Sequence, residues 1–262
     1  MTVWPLASGL FFGYAAGVAA AMPRQAWPRR RAGLTLASAG MALSIAAARL
    51  PFTPILHDWL LPPALLLLGY WTSGLLFVAP MPRAERLLFA IDDALRIRAI
   101  AARMPRAAAE FLELAYVGVY PLVAVALIIE LTLTATPDPQ LFWTVILVTD
   151  YICFAVLPWV QTRPPRFLEG SDPWPARFRR FNLRLMGAAS IQVNTFPSGH
   201  AAEALAAALL VLDAPLPWVV WMFFNAAAVS AGTVFGRYHY ALDAITGWGV
   251  ALIVWLALAG SP

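Results

Sequence analysis

Eight apolar runs dominate this chain. They lie at roughly residues 3–22, 33–49, 58–79, 113–134, 140–160, 198–213, 217–235 and 241–259, most of them near the ~20 residues that cross the hydrocarbon of a bilayer. In hydrocarbon every backbone N–H and C=O needs a partner within the protein, so a spanning segment is a helix or a strand of a closed barrel. The runs are continuous and do not alternate, which argues against a barrel. The reading is therefore all-α, a polytopic transmembrane helical bundle. Charged residues make up 12% of the chain, against about 25% in soluble domains, and mean hydropathy is +0.71. Pro23 and Pro28, Pro51 and Pro54, Pro80 and Pro82, Pro137 and Pro139, and Pro215 and Pro217 punctuate the runs, where a residue without an N–H donor ends helices. Trp4, Trp27, Trp59, Trp159 and Trp218 fall near the run ends, as in an interfacial aromatic belt. Val3–Met22 has no basic segment before it and no clear cleavage site, so it reads as a retained helix and not as a signal peptide.

Residues 81–112 break the pattern. Six arginines (83, 86, 96, 98, 103, 106) alternate with Leu87, Leu88, Phe89, Ile91, Leu95, Ile97 and Ile100. This composition predicts one or two amphipathic helices lying in the membrane interface, where they could gather anionic lipid.

All 18 basic residues are arginine. With eight spans, the loops 23–32, 80–112, 161–197 and 236–240 share one face, which holds every arginine except Arg49. Counting only those at positions 24–31 and 83–106, ten arginines face one, and the positive-inside rule places that face in the cytoplasm. The arginines flank apolar runs, no nucleic-acid motif is present, and membrane lipid is the simpler partner. Single Cys153 excludes an internal disulfide, and no Cys/His spacing resembles a zinc site; no metal or other cofactor is expected.

Three segments on the arginine face carry chemistry. His239 and Asp243 are four apart at the start of an apolar run, so they share one helix face. A carboxylate there can hold the imidazole N–H, leaving the other nitrogen to attack. Pro197-Ser198-Gly199-His200 opens the sixth run. Backbone N–H groups at a helix start favour anions, Ser198 adds a hydroxyl, Gly199 allows close approach, and His200 can act as acid and base. Gln161-Thr162-Arg163-Pro164-Pro165-Arg166 sets two guanidiniums on a stiff loop suited to phosphate. Two histidines, a carboxylate and guanidiniums at one bilayer face are the parts for phosphoryl transfer, with catalytic roles for His239, His200 and Asp243. Intramembrane acids are functional candidates by default; of Glu130, Asp150 and Glu203, Glu203 lies three residues after His200 and can orient it or hold a second substrate.

Pro197-Ser-Gly-His200 and His239-Tyr-Ala-Leu-Asp243 resemble two motifs of the type-2 phosphatidic acid phosphatase superfamily, which includes lipid phosphate phosphatases and vanadium haloperoxidases. The resemblance covers about residues 58–260. It implies a six-span core (58–262) with a two-span N-terminal extension (1–57), His239 as nucleophile, Asp243 as its partner, His200 as general acid, and no metal requirement. It also implies a site on the exoplasmic face, opposite to the arginine count. Gly232 and Thr233 stand where the family has Ser-Arg, and Arg237 is a candidate replacement; Val156 stands where it has lysine. Arg163-Pro164-Pro165-Arg166 and Arg237-Tyr-His-Tyr look more like the branch with inositol phosphorylceramide synthases and related bacterial proteins.

The expected function is a lipid phosphatase of a bacterial plasma membrane that cleaves a phosphomonoester or diphosphate through phospho-His239. Arg163, Arg166, Ser198, Gly199 and Arg237 are the expected phosphate ligands. The alternatives are a phosphotransferase moving a phospho-headgroup to a lipid hydroxyl, and a non-catalytic phospholipid-binding membrane protein.

Overall fold

The computed structural model describes residues 3–169, 174 and 176–259. Among them are eleven α-helices: α1 (Val3–Ala21), α2 (Trp27–Arg49), α3 (Leu61–Leu75), α4 (Pro82–Ala94), α5 (Ile97–Arg103), α6 (Arg106–Leu133), α7 (Pro139–Val156), α8 (Phe178–Ala189), α9 (Gly199–Leu210), α10 (Leu216–Phe235) and α11 (Ala241–Leu258). No strand occurs among the described residues, and one isolated bridge pairs Thr162 with Asn194.

Each of the eight apolar runs is a helix, and the protein is an integral membrane helical bundle. Six helices (α1, α2 with the 3-10 turn before it, α6, α7, α10 and α11) are long and apolar enough to cross a membrane. The other two are shorter than the sequence predicts. α3 has 15 residues and is preceded by a π-helical turn, Ile55–Leu60; Pro62 and Pro63 remove donors in its first turn. α9 has 12 residues.

α9 is the central element, packed against α6, α7, α10 and α11. Its alanines at 201, 202, 204, 206, 207 and 208 are fully buried, since small side chains let helix backbones approach closely. At Gly247 of α11 the approach to α9 is tight: a Cβ there would lie 2.6 Å from the Ser198 carbonyl oxygen. α1 packs on α2 and α7, and α2 on α3.

The segment 81–112 forms two amphipathic helices, α4 and α5, plus the first turns of α6, which starts at Arg106 instead of near 113. α4 does more than lie at a surface. Glu85, Leu88 and Asp92 are buried, and three-to-four spacing puts them on one face. That face packs against α11.

The antiparallel course of the spans brings the arginine-bearing loops together. Arg29 donates to the Phe77 carbonyl, and the Met81 N–H to that of Gln161 at 2.7 Å. The opposite end is closed by His57 Nδ1 on Asp58 (2.7 Å), Gln140 on Asp58 (2.9 Å) and the Asp138 N–H on Glu130 (3.0 Å).

Candidate active site

The turn from α10 into α11 places His239. Gly236 ends α10, Arg237 takes a left-handed conformation (φ 57°), and the N–H groups of both Tyr238 and His239 donate to the Thr233 carbonyl at 2.9 and 3.0 Å. Asp243 then sits one turn into α11. Its Oδ2 accepts from the Tyr240 N–H at 2.9 Å and lies 3.4 Å from His239 Nδ1. The carboxylate thus caps its own helix and faces the imidazole nitrogen that is not needed for attack.

Ser198 caps α9, its hydroxyl accepting from the Ala201 N–H at 3.4 Å, and its N–H donates to the Asp243 carbonyl at 2.9 Å. This ties the start of α9 to the start of α11 and sets the rings of His200 and His239 5.7 Å apart. Tyr116 of α6 stacks on His200 at 5.3 Å and on Tyr238 at 3.9 Å, while Tyr120 meets His200 edge-on at 5.9 Å.

A niche of about 20 Å³ lies between the histidines, walled by Arg166, His200, His239, Tyr116, Tyr238 and Thr195 among others. Its guanidinium is that of Arg166, which stacks over Tyr238 (5.1 Å) and Phe167 (4.6 Å). The Asn194 N–H donates to the Thr162 carbonyl at 3.0 Å and the Asn194 side chain to the Thr162 hydroxyl at 2.9 Å, fixing the arginine loop to the loop before α9. Burial, reinforced by the Arg166 charge and opposed by a hydrogen bond to the Thr195 backbone, lowers the pKa of His239 to about 3. At neutral pH His239 therefore carries a free lone pair, the form a nucleophile needs.

A second cavity of about 340 Å³ shares Tyr70, Thr195 and His200 with the niche, within the size range of ligand pockets. It runs between α3, α6, α7 and α9, from His200 to Trp59 and Trp143 near the opposite end. Several of its walls face outward: Trp59 is 39% exposed, Leu67 45%, Trp71 44% and Tyr120 50%. The cavity is thus open sideways, on the surface the hydrocarbon covers. Asp150 and Glu203 line it too.

A family model described as the PAP2 superfamily matches residues 83–257, more than half of the chain. The chain belongs to the PAP2 superfamily. Membership implies a phosphoesterase chemistry of the phosphatase or phosphotransferase type. No match to a curated protein or to a solved structure was found. The matched residues of this PAP2 protein include α4 through α10 and most of α11, and so all the niche walls except Tyr70.

The bundle brings together His200, His239, Asp243 and Arg166. It places other candidates elsewhere. Arg163 forms a bidentate pair with Glu85 (2.9 and 2.8 Å), is not among the niche walls, and receives the Tyr240 hydroxyl on its carbonyl at 3.1 Å. Its pairing holds the Glu85 carboxyl below the usual range. Arg237 is 2% exposed, bound to Asp92 at 2.6 Å and Glu169 at 2.7 Å; buried charges need such partners. Asp92 also accepts from the Ala241 N–H at 2.9 Å, so Arg237 fixes the turn that carries His239. Ser198 is fully buried, and its hydroxyl accepts the cap bond of α9. Gly199 faces away from the niche: a Cβ there would meet Asp150 Oδ1 at 3.1 Å and Phe154 at 3.3 Å. Glu203 lines the large cavity together with His200.

Residues the sequence did not single out complete the site. Glu113 accepts from Tyr238 (2.7 Å), Asn182 and Arg179, so Arg179 is a buried core residue. The signal was faint: Glu113 and Tyr116 stand one turn apart at the start of an apolar run, and Tyr238 sits between the two motif residues Arg237 and His239. Among the described residues no group of His, Cys, Asp and Glu has the arrangement of a metal site.

Proposed function

We propose that this protein is a lipid phosphatase that hydrolyses a phosphomonoester or diphosphate through phospho-His239. The observation that carries the reading is a small niche holding Arg166, His200 and His239 that shares walls with an apolar cavity open toward the bilayer. A soluble phosphate ester has no need of the second compartment; a lipid phosphate uses both.

In this mechanism the phosphoryl group sits against Arg166, which neutralises its oxygens as charge redistributes. His239 Nε2 forms a bond to phosphorus while the bond from phosphorus to the lipid oxygen breaks. His200 takes the proton that the phosphomonoester monoanion brings into the niche and passes it to that leaving oxygen. Water then attacks the phospho-imidazole; His200 takes the proton, and phosphate leaves with His239 restored. Asp243 positions the imidazole through Nδ1 throughout.

Lipid phosphotransfer, as in the inositol phosphorylceramide synthase-like branch that the Arg-Pro-Pro-Arg loop resembles, replaces water with a lipid hydroxyl. The polar wall of the large cavity favours keeping it as the second reading. Residues 1–57 are proposed as an extension to a core of 58–262, and the arginine excess supports a niche facing the cytoplasm of a bacterial plasma membrane. Phosphate release from a panel of lipid phosphates in detergent, comparing wild type with His239→Ala, tests the proposal. Release without any acceptor lipid, lost in the variant, is expected. Strict dependence on an acceptor lipid would replace hydrolysis by transfer.

A further inference from the structure

The large cavity carries a feature that phosphoryl chemistry does not use. Asp150 of α7 is 2% exposed, lines the cavity, and its Oδ2 has no hydrogen-bond partner. Glu203 of α9 lines the same cavity and is its electrostatic neighbour. Among the described residues neither carboxyl forms a salt bridge. A buried carboxyl oxygen without a donor is costly, and a second carboxyl beside it in an otherwise apolar chamber adds to that cost, so the pair needs a reason.

Their position supplies one. The other Asp150 oxygen lies against Gly199, the residue before His200, and Glu203 is one turn beyond His200. The pair therefore flanks the route from the niche into the apolar chamber, where the part of a lipid next to its phosphate ester would lie.

We infer that Asp150 and Glu203 form a subsite for a hydrogen-bond donor, a hydroxyl or an ammonium, carried by the lipid close to its phosphate. This deepens and rests on the lipid-phosphate reading of the niche. It narrows the substrate class: lipids with a free hydroxyl or amine beside the phosphate fit, whereas a polyprenyl phosphate leaves Asp150 Oδ2 unsatisfied. A donor on the lipid satisfies Asp150 Oδ2, and an ammonium also balances charge.

Binding tests this without turnover, because Trp59, Trp71 and Trp143 line the cavity and report a bromine-labelled chain by quenching. The probes are a long-chain 2-amino-1-alcohol, the matching 1,2-diol and the matching 1,2-dimethoxyalkane, in detergent micelles. The amino alcohol or the diol should bind wild type about tenfold tighter than the donor-free chain, the scale of one hydrogen bond to a charged group. Asp150→Leu with Glu203→Met should erase that preference while retaining the donor-free chain; apolar replacement of buried charged groups is commonly tolerated by the fold. Asp150→Asn should weaken the amino alcohol more than the diol if the ammonium is the natural donor. Equal binding of all three chains by wild type, or selectivity that survives the double variant, overturns the inference. Phosphate release is scored separately: release without donor selectivity would sink the subsite and leave the phosphatase, and selectivity without release would do the reverse.

Discussion

At the residue scale the account turns on which guanidinium meets phosphate. Arg166 is on the niche wall, whereas Arg163 is engaged by Glu85 and Arg237 by Asp92 and Glu169. Arg166→Ala should lower kcat by about 10²- to 10³-fold, the loss typical of one transition-state donor. Arg163→Ala should change kcat far less, since its side chain is 43% exposed and already paired; steady-state kinetics on one lipid phosphate separates the two. The same arginine helps set the protonation of His239. With its pKa lowered to about 3, the imidazole is neutral above that value and gains its proton only as pH falls through it. Histidine NMR titration of the free protein in micelles should find His239 neutral at pH 5, and Arg166→Gln should raise its midpoint toward the ordinary 6.5. A wild-type midpoint near 6.5 would contradict this geometry. The linked stability has the same sign: a histidine buried neutral favours the fold above pH 6.5 and works against it as acid protonates the unfolded chain.

At the element scale, α4 is the part least legible in the sequence. Its arginines and leucines announced an amphipathic helix, and that much holds. What composition could not show is that Glu85 and Asp92, seven apart on one face, pair with Arg163 and Arg237 across 78 and 145 residues of chain. Periodicity finds the face of a helix but not its distant partner. The spans were legible because a continuous apolar run has one solution in hydrocarbon. Their ends were less so: α6 extends back to Arg106 because its first turn is charged and the run begins later, and α7 stops at Val156, two residues short of Pro158. His200, His239 and Asp243 were legible because their spacing to helix starts is local. Asp92→Ala should cost about 1–3 kcal/mol by leaving one buried donor of Arg237 unpaired while Glu169 still holds the charge, measured as a lower unfolding midpoint in detergent. Gly247→Val should lower kcat by pushing Ser198, whose carbonyl would lie 2.6 Å from the new Cβ, and with it the cap that sets His200.

At the scale of the whole molecule, two compartments meet at His200. One is small, cationic and near the face where the arginines gather; the other is large, apolar and open to the side between α3 and α6. Under the proposed function this arrangement lets a phosphate reach the histidines while its chain stays in hydrocarbon, without extracting a lipid into water, a step that costs about 0.8 kcal/mol per methylene. Ala124 lies exposed on the cavity wall. Ala124→Trp should narrow this entrance, raising KM for a long-chain phosphate while sparing a short-chain one; equal effects on both would place the entrance elsewhere. The most direct test of the central claim is to mix the protein with a radiolabelled lipid phosphate, quench rapidly in base, and map the label. The account predicts an acid-labile, base-stable phosphoryl group on His239, with no label and no turnover in His239→Ala. Turnover that persists in that variant, or a label on another residue, would contradict it.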